Sequence, residues 1–271
     1  MGEWVVTRKE RLAAARDYAV YYGQREENEL AKFDIAIVEP LGQTPDTLKR
    51  MQKDGTLVLA YLSVMEINSD SIELSLLHNE DLLAGPEGPM KNEQYGNLLV
   101  DLRSKRWGRI LRHKVGKLFA AGYDGLFLDT IADVEVVPLS AEFRSELIIA
   151  ATGIIAELRK DFCDHILIQN NGLERLCLMT VKLIDGICFE SPPFGRAESA
   201  GWLKEVIKRL KWLHEEEKKA VLLLVQKDDM DKTDRRRWMA REVANENGFL
   251  LYEAPRDYVA GVNTISNIKS P

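Results

Sequence analysis

Eight short apolar runs, separated by stretches of helical periodicity, constrain this chain more than any other feature. They are Tyr18 to Tyr22, Ile35 to Val38, Leu57 to Leu62, Gly125 to Leu128, Ile166 to Ile168, Gly186 to Phe189, Val221 to Val225 and Phe249 to Tyr252. A strand that is apolar at nearly every position must bury both faces, and a parallel sheet covered by helices imposes that. The segments between carry helix punctuation. Thr44 can cap a helix that has Pro45 at its first position and ends at Gly55, and Ser104 opens one that closes at Gly122. Residues Glu142 to Lys160 set Leu147, Ile148, Ala151, Ile154, Ile155 and Leu158 on one side of a helix. Trp202, Leu203, Val206, Ile207, Leu210 and Leu213 form a stripe opposite Lys204, Lys208 and Lys211, and Thr233 can start a last helix that stops at Gly248.

Strand–helix alternation repeated eight times predicts an α/β fold closed into a (β/α)₈ TIM barrel. The alternative, an open doubly wound sheet, usually brings a glycine-rich phosphate turn after its first strand, and no Gly-x-Gly-x-x-Gly or Walker-type run occurs here. The 271 residues suit one barrel, typically about 250 residues long, so residues 1–271 read as a single domain. One unit is oversized. Between Glu66 and Ser104 the chain is polar and broken by Gly85, Pro86, Gly88 and Pro89. This enlarged loop after the third strand is expected to be an active-site lid.

Composition narrows the partners. The formal net charge is −6, which argues against nucleic acid, because phosphate binding wants a basic surface. Arg235, Arg236 and Arg237 read as one face of a solvated helix. The three cysteines, Cys163, Cys177 and Cys188, lack Cys-x-x-Cys spacing, and Cys188 sits in an apolar run where a buried, inert thiol is expected. No run of about twenty apolar residues can span a membrane, and the first residues show no signal-peptide pattern; the compartment stays open. None of the histidines, His78, His113, His165 and His214, falls at a strand C-terminus, so a histidine triad or zinc site lacks its usual parts. Lys227, flanked by Asp228 and Asp229, reads as a solvated, ion-paired lysine. No metal site is expected.

In a barrel of this type the chemistry sits where strands end. Those positions hold Glu39, Tyr61 with Ser63 and Glu66, Asp129, Gln169 with Asn170 and Asn171, Glu190, Gln226, and Tyr252 with Glu253. A single polar strand-end residue is unremarkable, but acids, amides and tyrosines recurring at one rim of an otherwise apolar sheet are not. Asp129 closes Gly125-Leu-Phe-Leu-Asp-Thr and Glu190 closes Gly186-Ile-Cys-Phe-Glu-Ser. Two carboxylates facing each other across a barrel mouth can divide acid and nucleophile roles when their environments differ. Glycoside hydrolysis uses such a pair, and the separation sets the stereochemistry: about 5–5.5 Å for retention and about 6.5–9.5 Å for inversion.

These motifs carry a resemblance. Val58-Leu-Ala-Tyr-Leu-Ser-Val-Met-Glu66, Val100-Asp-Leu-Arg-Ser-Lys-Arg-Trp107, Gly122-Tyr-Asp-Gly-Leu-Phe-Leu-Asp-Thr130, Ile168-Gln-Asn-Asn171 and Asp185-Gly-Ile-Cys-Phe-Glu-Ser191 stand in the expected order. The chain resembles glycoside hydrolase family 114, the endo-α-1,4-polygalactosaminidase family, some of whose relatives were once labelled as candidate cysteinyl-tRNA synthetases. The nucleotide-binding motifs His-Ile-Gly-His and Lys-Met-Ser-Lys-Ser of those synthetases are absent from this sequence. The resemblance implies a barrel that cleaves an α-linked, amino-containing oligo- or polysaccharide without a cofactor. It places Asp129 as nucleophile and Glu190 as acid/base, with Glu39, Tyr61, Ser63, Glu66, Asn170, Asn171, Gln226 and Tyr252 lining the sugar subsite. Asp101 and Arg103 read as an ion pair orienting the helix from Ser104, with Trp107 in the core. Two departures stand out: Met65 in place of the family's usual glycine, and Ala132, with Asp133 after it, where a second aspartate is common. They motivate an alternative, a carbohydrate-binding barrel that has lost turnover.

Overall fold

Each apolar run becomes a strand. The computed structural model describes residues 6–226 and 235–264, so Lys227 and Thr233 lie outside the described residues. The barrel strands are β1 (Tyr18–Tyr21), β2 (Ile35–Val38), β3 (Leu57–Ser63), β4 (Gly125–Asp129), β5 (Ile166–Asn170), β6 (Gly186–Glu190), β7 (Ala220–Gln226) and β8 (Leu250–Ala254). They pair in chain order, every pair parallel. β8 lies alongside β1, with the fully buried rings of Tyr18 and Tyr252 5.7 Å apart. The result is the nearly closed TIM barrel that the alternation predicts. Around it run α1 (Arg8–Ala13), α2 (Glu27–Leu30), α3 (Pro45–Lys53), α4 (Lys105–Ala121), α5 (Asp133–Val136), α6 (Ala141–Asp161), α7 (Leu176–Thr180), α8 (Ala200–Glu215) and α9 (Arg235–Asn247). The punctuation holds where it is described. Thr44 and Ser104 cap α3 and α4 through their side chains, and Gly122 ends α4 at φ 108°.

Acids occupy both ends of the barrel, with different jobs. At the bottom, Asp17, Asp34, Asp124 and Asp185 each stand immediately before a strand. Each side chain accepts a backbone N–H from a neighbouring segment: Asp34 N to Asp17 (2.8 Å), Arg16 N to Asp34 (2.8 Å), Val58 N to Asp124 (3.0 Å) and Leu167 N to Asp185 (2.9 Å). Arg8 and Arg159 neutralise Asp124 and Asp185. These carboxylates satisfy the first amides of the sheet, where a parallel strand has no partner of its own. The glycine after Asp124 is dictated by packing, since a Cβ on Gly125 would stand 2.4 Å from the carbonyl oxygen of Ile166.

The long segment between β3 and α4 is built rather than loose. Glu66–Ile67 pairs antiparallel with Leu98–Leu99, and Ala84–Gly85 with Gly88–Pro89. The segment is tied to the barrel by Val100 N to Met65 O (2.8 Å), Ser104 Oγ to Asp81 (2.5 Å) and Trp107 Nε1 to Val64 O (2.8 Å). Trp107 is buried and Arg103 pairs with Asp101, as the sequence led us to expect; Arg103 also pairs with Glu146. What was expected as a lid forms one wall of the barrel mouth.

Candidate active site

Three adjacent strands end on polar side chains: β4 on Asp129, β5 on Asn170 and β6 on Glu190. The residue after each, Thr130, Asn171 and Ser191, adopts a positive φ of 59°, 54° and 53°. A left-handed non-glycine residue costs roughly 1–2 kcal/mol, and three in matching positions mark a rim where the chain turns sharply out of each strand. The turns are held by the same residues. Thr130 Oγ1 accepts from the amides of Val64 (3.0 Å), Met65 (2.8 Å) and Glu66 (3.3 Å). Asn171 Oδ1 accepts from Glu190 N at 3.0 Å, and Ser191 N donates to Leu224 O at 2.9 Å. Ser63 Oγ donates to Glu66 O at 2.8 Å and meets Thr130 Oγ1 at 3.1 Å. Asn171 and Ser63 therefore brace the rim.

Asn170 joins the two carboxylates. Its Nδ2 donates to Asp129 Oδ1 at 2.7 Å and to Glu190 Oε2 at 2.6 Å. Two N–H bonds of one amide diverge by about 120°, which sets the accepting oxygens about 4.6 Å apart and at most about 5.3 Å. Each carboxylate also has a tyrosine. Tyr258, in the turn after β8, donates to Glu190 Oε1 at 2.5 Å, and Tyr61 stands near Asp129, whose charge adds to burial in raising the tyrosine's pKa. Tyr22 lies between them, its ring 4.8 Å from that of Tyr61 and 5.4 Å from that of Tyr258. The mouth thus has a polar half on β4 to β6 and an aromatic half from β8, β1 and β3.

The two acids are not equivalent. Burial pushes the Glu190 pKa up and the charge of Asp129 pushes it further, while the bonds from Tyr258 and Asn170 pull it back. A carboxyl of raised proton affinity beside one that faces different partners can divide acid and nucleophile roles.

A second carboxyl pair lies against Asp129. Glu66 is buried and receives Asn92 Nδ2 (2.5 Å) and Asn97 Nδ2 (2.9 Å) from the long β3–α4 segment. Asp133, at the start of α5, lies beside Glu66; burial first, then the charges of Glu66 and Asp129, push its pKa up to about 8. Asp133 brings a carboxyl to this corner although Ala132 does not. A carboxyl whose folded pKa is raised stabilises the fold below its unfolded pKa, and that contribution is lost as pH rises through the folded value. Asp133→Asn supplies a permanent donor to Glu66. The variant is expected to melt like the parent near pH 4 and to gain about 1–3 kcal/mol, several degrees in Tm, by pH 9. Calorimetry at both pH values checks this; an equal shift at both would show that the pair does not share a proton.

The remaining candidates fall into place as follows. Glu39 is half-buried on the rim, accepting from Leu41 N at 3.2 Å, and burial raises its pKa. Gln226 is exposed at the end of β7. Tyr252 is not brought to the mouth: it is fully buried, and its hydroxyl accepts from Asn263 N at 3.0 Å. Its strand continues two residues beyond it, so it lies within the sheet rather than at its end. Glu253 is taken up by Arg237 and Arg241, and Gln169 by Thr180 and the Asn171 carbonyl. Asp133, Tyr22, Tyr258, Asn92 and Asn97 were not among the expected site residues. Tyr22, closing the first apolar run, and Asp133, beside the noted Ala132, had a signal in the sequence. The other three belong to segments without periodicity.

A parallel barrel that gathers two carboxylates at the C-terminal ends of its strands, with unlike surroundings, has the architecture of a glycoside hydrolase. The chain belongs to glycoside-hydrolase family GH114, whose family model matches residues 6–191. Among solved structures it is similar to the glycoside hydrolase domain of PelA from Pseudomonas aeruginosa, at 20% identity and TM-score 0.75, over 90% of this chain and 96% of that one. It is similar to Aspergillus fumigatus Ega3, solved in complex with galactosamine, at 12% identity and TM-score 0.71, over 97% and 99% of the two chains. The α-galactosidase TtGalA from Thermus thermophilus follows at 17% identity and TM-score 0.61, over 93% of this chain and 63% of that one. No curated protein matches. No helix among the described residues is long and apolar enough to cross a membrane.

Proposed function

We propose that this glycosidase cleaves an α-linked, galactosamine-containing polysaccharide, in the manner of an endo-α-1,4-polygalactosaminidase, with retention of anomeric configuration. The observation that carries the reading is the single Asn170 amide shared by Asp129 and Glu190. A spacing of about 5 Å leaves no room for a water between carboxylate and sugar, which inversion requires, and suits direct attack. In this reading Asp129 is the nucleophile. Glu190 protonates the departing glycosidic oxygen, then as carboxylate takes a proton from the water that hydrolyses the glycosyl-enzyme.

Substrate class is supported by charge. Glu39, Glu66 and Asp129 line or back the mouth, and an amino sugar carries a cation that such a site favours. Ega3, similar in fold, was solved with galactosamine. The alternative of a barrel without turnover loses its motive: Met65 is fully buried in the core, and Asp133 supplies the carboxyl that Ala132 lacks.

The test is incubation with an α-1,4-linked galactosamine polymer, following reducing ends and, by proton NMR, the anomer of the first product. Reducing ends with initial α-product are expected. Initial β-product would mean inversion, and an absence of reducing ends after long incubation at high enzyme concentration would sink the glycosidase reading for this polymer.

A further inference from the structure

The turn that follows β8 contributes a group that neither the family match, which ends at residue 191, nor the strand-end pattern points to. Asp257 and Tyr258 both adopt positive φ, 64° and 54°. Two successive left-handed non-glycine residues are held only by surrounding contacts. Here the Tyr258 carbonyl accepts from Tyr22 N at 2.8 Å, tying the turn to the end of β1, and the ring packs on Tyr22. This strained turn presents the Tyr258 hydroxyl to Glu190 Oε1 at 2.5 Å, while Asn170 holds the other oxygen, Oε2.

We propose that Tyr258 is a positioning residue of this site, holding the Glu190 carboxyl in place and favouring its ionised, general-base form. The inference rests on Glu190 being the acid/base of the proposed reaction. A hydroxyl can donate to a carboxylate and, on rotating, accept from a carboxylic acid, so it accommodates both protonation states. Asn170 alone cannot do this, since its amide is divided between two acids. The groups facing Glu190 are Asp129 on β4, Asn170 on β5, Cys188 on its own strand, Tyr18 on β1, Tyr22 at the end of β1, Tyr95 on the β3–α4 segment and Tyr258. Among them only Asn170 and Tyr258 donate to its oxygens.

Tyr258→Phe keeps the ring on Tyr22 and removes the donor. Protein carrying ¹³C-carboxyl glutamate, with the Glu190 signal assigned from Glu190→Gln, is titrated without substrate. The expected result is a Glu190 midpoint about one pH unit higher in Tyr258→Phe. On the polymer, the alkaline limb of kcat/KM should move up by the same amount while kcat falls about tenfold, because the base step is impaired. An unchanged midpoint would overturn the proposal, as would a moved midpoint with an unmoved alkaline limb. Because the titration needs no substrate, failure of the tyrosine pairing is told apart from failure of the glycosidase reading.

Discussion

Asp129→Asn is expected to lower polymer hydrolysis by about 10⁴-fold, and Glu190→Gln by about 10²–10⁴-fold, with KM nearly unchanged in both. The two losses should differ in kind. Without a nucleophile no glycosyl-enzyme forms, and a better leaving group cannot restore that bond. Without the acid, an activated aryl glycoside still departs unaided, so Glu190→Ala should retain much of its first step on a nitrophenyl substrate. Azide separates the roles further. It enters the space left by Glu190→Ala and attacks the glycosyl-enzyme, giving an α-glycosyl azide. In Asp129→Gly it replaces the nucleophile and gives the β-azide. An α-azide from Asp129→Gly together with a β-azide from Glu190→Ala would reverse the assignment of the two carboxylates. All of these replacements are isosteric or smaller at a rim already held by Thr130, Asn171 and Ser191, so circular dichroism and Tm should stay close to the parent.

That the two acids could be singled out beforehand follows from what a parallel barrel demands. A strand buried on both faces tolerates no charge until it emerges, so Asp129 and Glu190, each after an apolar run, had to lie at the rim. The same logic misjudged Tyr252. Apolarity marks burial rather than the last paired residue, and β8 continues through Glu253 to Ala254 because Arg237 and Arg241 neutralise Glu253 inside the sheet margin. The acids before β1, β2, β4 and β6 were equally visible, but only strand direction shows that they sit at the end opposite the site. Tyr258, Asn92 and Asn97 were beyond reach for a different reason. They arrive from turns without periodicity, and their contacts to Glu190 and Glu66 span 68, 26 and 31 residues. Nothing local in the chain encodes such a meeting; closure of the barrel does.

Asn170 is where the second large effect is expected. Two unit charges about 5 Å apart repel by about 3 kcal/mol at an effective dielectric of about 20. Two charge-assisted hydrogen bonds of roughly 1.5–3 kcal/mol each are enough to offset that. In the proposed reaction the shared amide keeps both carboxyls in place while Glu190 passes between acid and base within reach of the same bond. Asn170→Ala removes both donors at once. The carboxylates should then separate or share a proton, and kcat is expected to fall about 10²–10³-fold with a smaller change in KM. Asn170→Asp is the sharper variant, being nearly isosteric with a charge of the wrong sign. A third carboxylate between the other two raises their proton affinity, so activity should be about 10³-fold lower at neutral pH and recover partly on acidification. The sign follows from the proton count: the introduced carboxyl can donate to one neighbour when protonated and to neither when ionised. A pH–rate profile of the aspartate variant with an unchanged optimum, or an alanine variant with parental kcat, would show that the amide merely fills space between groups that do not depend on it.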